Sequence, residues 1–120
     1  MLARINQVRG DQGGLAPLRP ARSLQRSAGA FARWLVEHDQ FQHRPSVSVT
    51  RSYPHCGEAL AMHFSLRADI GGTVGSWLRS PVHRGLVMTD SMTLVGVGHA
   101  SGRSAGKPRT IWVLQVARRR

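Results

Sequence analysis

Three features of this sequence predict an α+β domain. An apolar stripe at helical spacing lies near the start, two β-rich segments lie near the end, and no strand–helix alternation separates them. The stripe is Leu24, Ala28, Phe31, Ala32 and Leu35, one face of a helix over 21–38. The β-rich segments are 93–98 and 110–116, the second reading Thr-Ile-Trp-Val-Leu-Gln-Val. A chain of 120 residues suits one domain; we expect residues 1–117 to form it and 118–120 to be a basic tail.

Taken in order, residues 1–10 read as a short helix, with Leu2, Ile5 and Val8 or Arg9 on one face. Gly10, Gly13 and Gly14 stop it, and Leu15-Ala16-Pro17-Leu18 makes a connector. Pro20 is expected to open the long helix of 21–38. Residues 44–56 look irregular, with Val47-Ser48-Val49-Thr50 as a short strand or a loop. Residues 57–62 fit either a strand start or a helical turn. A helix over 66–79 is predicted, burying Leu66, Ile70, Val74, Trp77 and Leu78, although Gly71, Gly72 and Gly75 weaken it by about 1 kcal/mol each. Ser80-Pro81 then opens a short helical segment, with the serine hydroxyl as its cap. Residues 93–98 and 110–116 close the chain as a hairpin with a long polar loop over 101–108.

The net charge is +11, from 17 basic against 6 acidic residues, and Lys107 is the lone lysine. An anionic surface is therefore a candidate partner. Specific nucleic-acid recognition is not expected. The arginines are scattered, only Arg118-Arg119-Arg120 forms a run, and the few aromatics are not interleaved with them as a base-stacking platform requires. No apolar stretch approaches the roughly 20 residues of a membrane span. The opening Met1-Leu2-Ala3-Arg4-Ile5 lacks the apolar core of a signal peptide, which leaves a cytoplasmic chain, a mature fragment and a late start codon all open. The single cysteine, Cys56, rules out an intrachain disulfide and reads as a small buried hydrophobe before it reads as a nucleophile.

Five pieces in order carry a resemblance. They are Asn6-Gln7-Val8-Arg9 with Gly14-Leu15-Ala16-Pro17-Leu18, then Phe41-Gln42-His43, then Gly57-Glu58-Ala59-Leu60-Ala61, then Trp77 through Arg84, and last Gly96-Val97-Gly98 with Trp112 through Gln115. Together they resemble bacterial CAP domains, the family of cysteine-rich secretory, antigen 5 and pathogenesis-related proteins. The resemblance implies a three-layer α-β-α sandwich with a central antiparallel sheet. It also implies a cleft built around His43, Glu58 and His83, with Ser80, Trp77 and His63 as further lining. Members are mostly secreted, so an extracellular or cell-envelope location is implied, and they bind metals, lipids or partner proteins with no single shared activity. The chain departs from the family pattern at Ala59, Ser80, Val82 and Leu86 and carries one extra residue between Trp112 and Gln115. The lost polar groups weigh against catalysis and leave the fold expectation intact.

Two imidazoles and a carboxylate suit Zn²⁺ with an open position for water. The same trio equally makes a structural network in which Glu58 holds both rings by hydrogen bonds. Three functions follow. The leading one is a binding module whose cleft holds a divalent metal or small ligand while a lipid or protein meets another surface. The others are a metal-dependent hydrolase using the same cleft and an electrostatic binder of anionic surfaces. A Ser80–His83–Glu58 triad is weaker, because Ser80 is placed to cap a helix. Among the remaining groups, His38 is expected to be solvated at a helix end, and His55 beside Cys56 to be a loop residue. His99 is expected at a strand end, and Trp34, Trp77 and Trp112 in the core or cleft wall.

Overall fold

The computed structural model describes residues 1–44 and 52–119. The segment Val47-Ser48-Val49-Thr50 lies outside the described residues, as does Arg120. The elements run α1 (Leu2–Gly13), β1 (Arg19–Pro20), α2 (Arg22–Glu37), β2 (His55–His63), α3 (Ile70–Arg79), α4 (Pro81–Val87), β3 (Leu94–Ser104) and β4 (Lys107–Arg118). The strands form one sheet in the order β1-β3-β4-β2. β4 pairs antiparallel with both β2 and β3. The expected antiparallel sheet gains a short parallel edge, because β1 pairs with β3 through Arg19–Leu94 and Pro20–Val95.

Three layers follow from how β4 alternates. Ile111 and Val113 pack with Ala28, Phe31, Ala32 and Leu35 of α2. Trp112, Leu114 and Val116 pack with Ile5 and Val8 of α1, Val74 and Trp77 of α3, and Val87 of α4. Successive strand side chains point to opposite faces, so a central strand covered on both faces is expected to be largely apolar, and the run Ile111–Val116 is apolar except at Gln115. All five residues of the predicted α2 stripe are buried.

α2 lies unusually near the sheet. A Cβ added at Gly96 would come within 2.2 Å of the Leu24 carbonyl carbon, and one at Gly98 within 2.4 Å of the Gly29 backbone. Glycines two apart on β3 therefore let helix backbone meet strand backbone. Gln25, from the same stretch of α2, closes the open edge of β3. Its Nε2 donates to the Val97 carbonyl at 2.7 Å and its Oε1 accepts from the Val97 N–H at 2.9 Å, as a neighbouring strand would.

α1 is fixed by a buried charge. Arg9, 2% exposed, donates from Nε and Nη2 to the Ala16 carbonyl and from Nη1 to the carbonyls of Val87 and Thr89. One guanidinium thus joins α1, its connector and the end of α4. Burial lowers the Arg9 pKa, with Asp90 acting in the opposite direction. Asn6 pins the connector further by exchanging two hydrogen bonds with the Leu18 backbone.

Several boundaries differ from the sequence expectation. Pro20 belongs to β1, and Ala21 is the N-cap of α2. Helix α3 starts at Ile70 rather than 66, because Asp69 caps it by accepting from the Gly72 N–H at 2.8 Å. The preceding loop is held by Ser65, which accepts from the Arg67 N–H, and by His63, whose Nε2 donates to the Arg67 carbonyl. Leu66 and Ile70 are consequently exposed, not buried. The hairpin loop is two residues, not eight. Ser104 pairs with Lys107, and Ala105 and Gly106 both take positive φ, 50° and 79°, the geometry of a type I′ turn. Pro108 sits in β4 beyond the end of the β2 pairing, where the strand has a partner on one side only. Arg118, expected in the tail, is the last residue of β4 and pairs with His55.

Candidate functional site

β2 carries the site. Ala59 and Ala61 face the α1/α3/α4 layer, and Leu60 and Met62 face α2; alternation puts Glu58 on the α2 face. Glu58 is directly opposite Gln115 of β4, whose Nε2 donates to Glu58 Oε1 at 3.0 Å. The second oxygen, Oε2, is 3.0 Å from Nδ1 of His43, which follows the end of α2. The Glu58 side chain is 5% exposed and that of His43 is 53% exposed. A carboxylate taken out of water needs both oxygens satisfied, and here an amide and an imidazole do this from two different elements. Gln115 is fully buried and is a member of the network that the sequence reading missed. Its only signal was a polar residue inside an otherwise apolar central strand.

Cys56 lies two residues before Glu58 on the same strand. Burial pushes its thiol pKa up, and the Glu58 carboxylate adds to the shift. Cys56 is thus held toward the thiol, which is the less nucleophilic form.

Farther along the same edge strand lies a pocket of about 380 Å³. Phe41, Leu60, Ala61 and Met62 form one side, with His63 and Asp69 at the β2–α3 loop. Thr73, Ser76 and Trp77 come from α3, and His83 comes from α4. Trp77, His63 and His83 share this wall, whereas Ser80, His43 and Glu58 do not line it. The structure therefore joins His43 to Glu58 directly and sets His83 on the pocket farther along β2. Among the described residues, no group of three His, Cys, Asp or Glu side chains is arranged to hold a metal ion.

The polar groups of the pocket are partly engaged. The Trp77 indole N–H donates to the Leu60 carbonyl at 3.1 Å, tying α3 to the edge strand. His63 Nε2 is engaged by the Arg67 carbonyl at 2.7 Å. Thr73 Oγ1 donates to the Asp69 carbonyl. The side chains of His83 and Ser76 make no hydrogen bond among the described residues. Ser80 occupies the N-cap position of α4, but its hydroxyl makes no cap bond; the backbone Ser80 carbonyl accepts from the Arg84 N–H instead.

The other histidines have structural settings. His38 caps α2, its Nδ1 donating to the Trp34 carbonyl while its ring stacks on Trp34 at 4.4 Å. His99 lies within β3 rather than at a strand end, stacked on Trp112 at 4.4 Å. Trp34, expected in the core or cleft wall, is 42% exposed.

A family model described as CAP, the cysteine-rich secretory protein family, matches residues 2–116. The chain belongs to the CAP family. Among solved structures, this CAP domain is similar to an outer surface protein from Borrelia burgdorferi. The TM-score is 0.78 at 19% identity, covering 99% of this chain and 90% of that one. It is also similar to an extracellular protein containing an SCP domain from Bacillus anthracis. There the TM-score is 0.75 at 17% identity, and the CAP domain covers 40% of that longer chain. A venom allergen-like protein from Schistosoma mansoni follows with a TM-score of 0.66 at 12% identity, covering 98% of this chain and 83% of that one. At these identities the likeness establishes the fold. No curated protein matches the sequence. Among the described residues, no helix is long and apolar enough to cross a membrane.

Proposed function

We propose that this CAP domain is an extracellular binding module whose pocket beside Trp77 takes a small polar ligand with an apolar face. The observation that carries the reading is the division of labour around β2. Glu58 has both oxygens bonded within the protein, so it is unsuited to act as a general base, which needs a free oxygen near the reacting proton. The pocket farther along β2 keeps uncommitted polar side chains at His83 and Ser76 against apolar walls at Phe41, Trp77 and Met62. Its volume of about 380 Å³ falls in the range of small-molecule sites. Location outside the cell is supported by the surface and extracellular proteins that share the fold.

The test is ligand-observed NMR with a fragment mixture, run on wild type and on Ser76→Phe, which fills the pocket. Fragments that bind the wild type and are lost from the variant support the reading. Identical binding to both would reject it. Zinc titration by calorimetry, beside the His43→Ala/His83→Ala variant, separates the metal alternative. A Zn²⁺ site at His43, Glu58 and His83 requires Glu58 to release His43. One-to-one zinc binding lost in the double variant would replace our reading and reopen the metal-dependent hydrolase.

A further inference from the structure

The positive charge converges at the end of the sheet where β1, β3 and β4 meet. Arg19, Arg118 and Arg119 line one concavity of about 290 Å³ there, together with Ser91, Thr93 and Leu94. The sheet itself brings them together. Arg19 sits in β1 opposite Leu94. Thr93 joins the two sides, its N–H donating to the Ala117 carbonyl and its carbonyl accepting from the Arg19 N–H. Arg118 and Arg119 follow Ala117 directly. This concavity shares no residue with the pocket beside Trp77.

Among the described residues, no carboxylate lines it. The ion pairs among the described residues join His43 to Glu58 and Arg109 to Asp39, so none neutralises these three arginines. Asp90 is the nearest acid in sequence, one residue before Ser91, and its field acts on the buried Arg9. Arg119 packs toward the Tyr53 ring at 5.9 Å, which steadies one guanidinium without discharging it. Three like charges around one hollow repel each other, and an anion placed among them reverses the sign of that interaction. Guanidinium forks match tetrahedral oxyanions with paired N–H donors. The Thr93 hydroxyl, with no partner among the described residues, is a further donor at the rim. Ser91 Oγ already shares a hydrogen bond with Thr89 Oγ1.

We propose that Arg19, Arg118 and Arg119 form a binding site for a phosphate or sulfate ester group. The concavity is wide enough for the oxyanion and the first atoms of whatever carries it. The general basicity of the chain thereby acquires a defined place. The site is independent of the pocket reading and can fail or survive separately from it.

The experiment is titration of inorganic phosphate, and separately sulfate, into ¹⁵N-labelled protein at constant ionic strength with chloride as control. Saturable shifts confined to the amides of 91–94 and 117–119 are expected. Arg19→Gln/Arg118→Gln should weaken binding at least about tenfold. Arg26→Gln/Arg33→Gln, which removes the same charge from the exposed side of α2, should leave it unchanged. Equal loss in both variants, or shifts without saturation, would overturn the proposal in favour of diffuse electrostatics. Phosphatidylcholine vesicles with and without phosphatidic acid identify the carrier. Binding to the acidic vesicles that free phosphate displaces assigns a lipid headgroup to the site, whereas phosphate binding without vesicle binding assigns a soluble ester. All four substituted arginines are exposed, and far-UV circular dichroism confirms that each variant is folded.

Discussion

Arg9→Met isolates the contribution of the buried guanidinium. Methionine keeps an unbranched stem in α1 and removes the charge with all its donors. The Val87 carbonyl then loses its partner in a buried setting, and a buried acceptor left unsatisfied costs about 2 kcal/mol. The bonds to Ala16 and Thr89 are part-buried, so water replaces them in part and each adds about 0.5–1 kcal/mol. Relief from burying a cation offsets some of this, and methionine packing against Val8 and Val87 offsets a little more. The net loss is about 3 kcal/mol. For a domain of this size, about 4 °C per kcal/mol converts it to a drop in Tm of about 12 °C. Urea unfolding followed by tryptophan fluorescence and far-UV circular dichroism reads the difference. Arg9→Lys, a point charge without a fork, should recover part of the loss. A Met variant within 1 kcal/mol of wild type would refute the reasoning, because it would mean that the three carbonyls are satisfied without the guanidinium.

Other perturbations give readings of different kinds. Gly98→Ala places a methyl against the α2 backbone at 2.4 Å and should destabilise by about 3 kcal/mol or more, seen as a lowered urea midpoint; Gly10→Ala, where a Cβ meets nothing, should not. Gln25→Ala frees both backbone groups of Val97 at the β3 edge and should cost about 1 kcal/mol, with faster amide exchange at Val97 as its signature. The Cys56 thiol is raised by burial and by Glu58, so its alkylation should be slower than that of free cysteine at pH 8 and rise as pH approaches the raised pKa. Glu58→Gln removes the like charge and should speed alkylation at a given pH; an unchanged rate would show that the carboxylate does not reach the thiol.

How much was legible depended on whether a residue's role lay in its own pattern. The α2 stripe was readable because five apolar residues at helical spacing leave one solution. β4 was readable as a strand, although not its length, since the polar stretch 101–108 carries no apolar alternation and its pairing is set by the turn at Ala105-Gly106. Leu66 and Ile70 were misplaced because their spacing continues the helical pattern, while the Asp69 cap, a polar signal three residues from Gly72, decides where the helix begins. Arg9 already fell on the apolar face of α1 by spacing, and a charge within a buried stripe was the available clue. Gln25 had no local signal and Gln115 only its polarity within an apolar strand, since each serves an atom far along the chain. The family resemblance picked out His43 and Glu58 from residues of the same type, and the pairing between them became visible only when β2 met the end of α2. His83 shared their motif set but lies on the pocket farther along β2.

The position of β4 bears on when the chain can fold. It is the partner of both β2 and β3, and it is the last of the strands to leave the ribosome. Before it emerges, β3 has only β1 as a strand partner, over two residues, and β2 has no strand beside it. The apolar face of α2 likewise lacks Ile111 and Val113 to pack on. Nascent chains stopped short of residue 107 should therefore be protease-sensitive and carry exposed apolar surface, with native structure arriving in one late step. Residues 107–118 are thus the stretch whose arrival lets the rest of this domain close around a sheet.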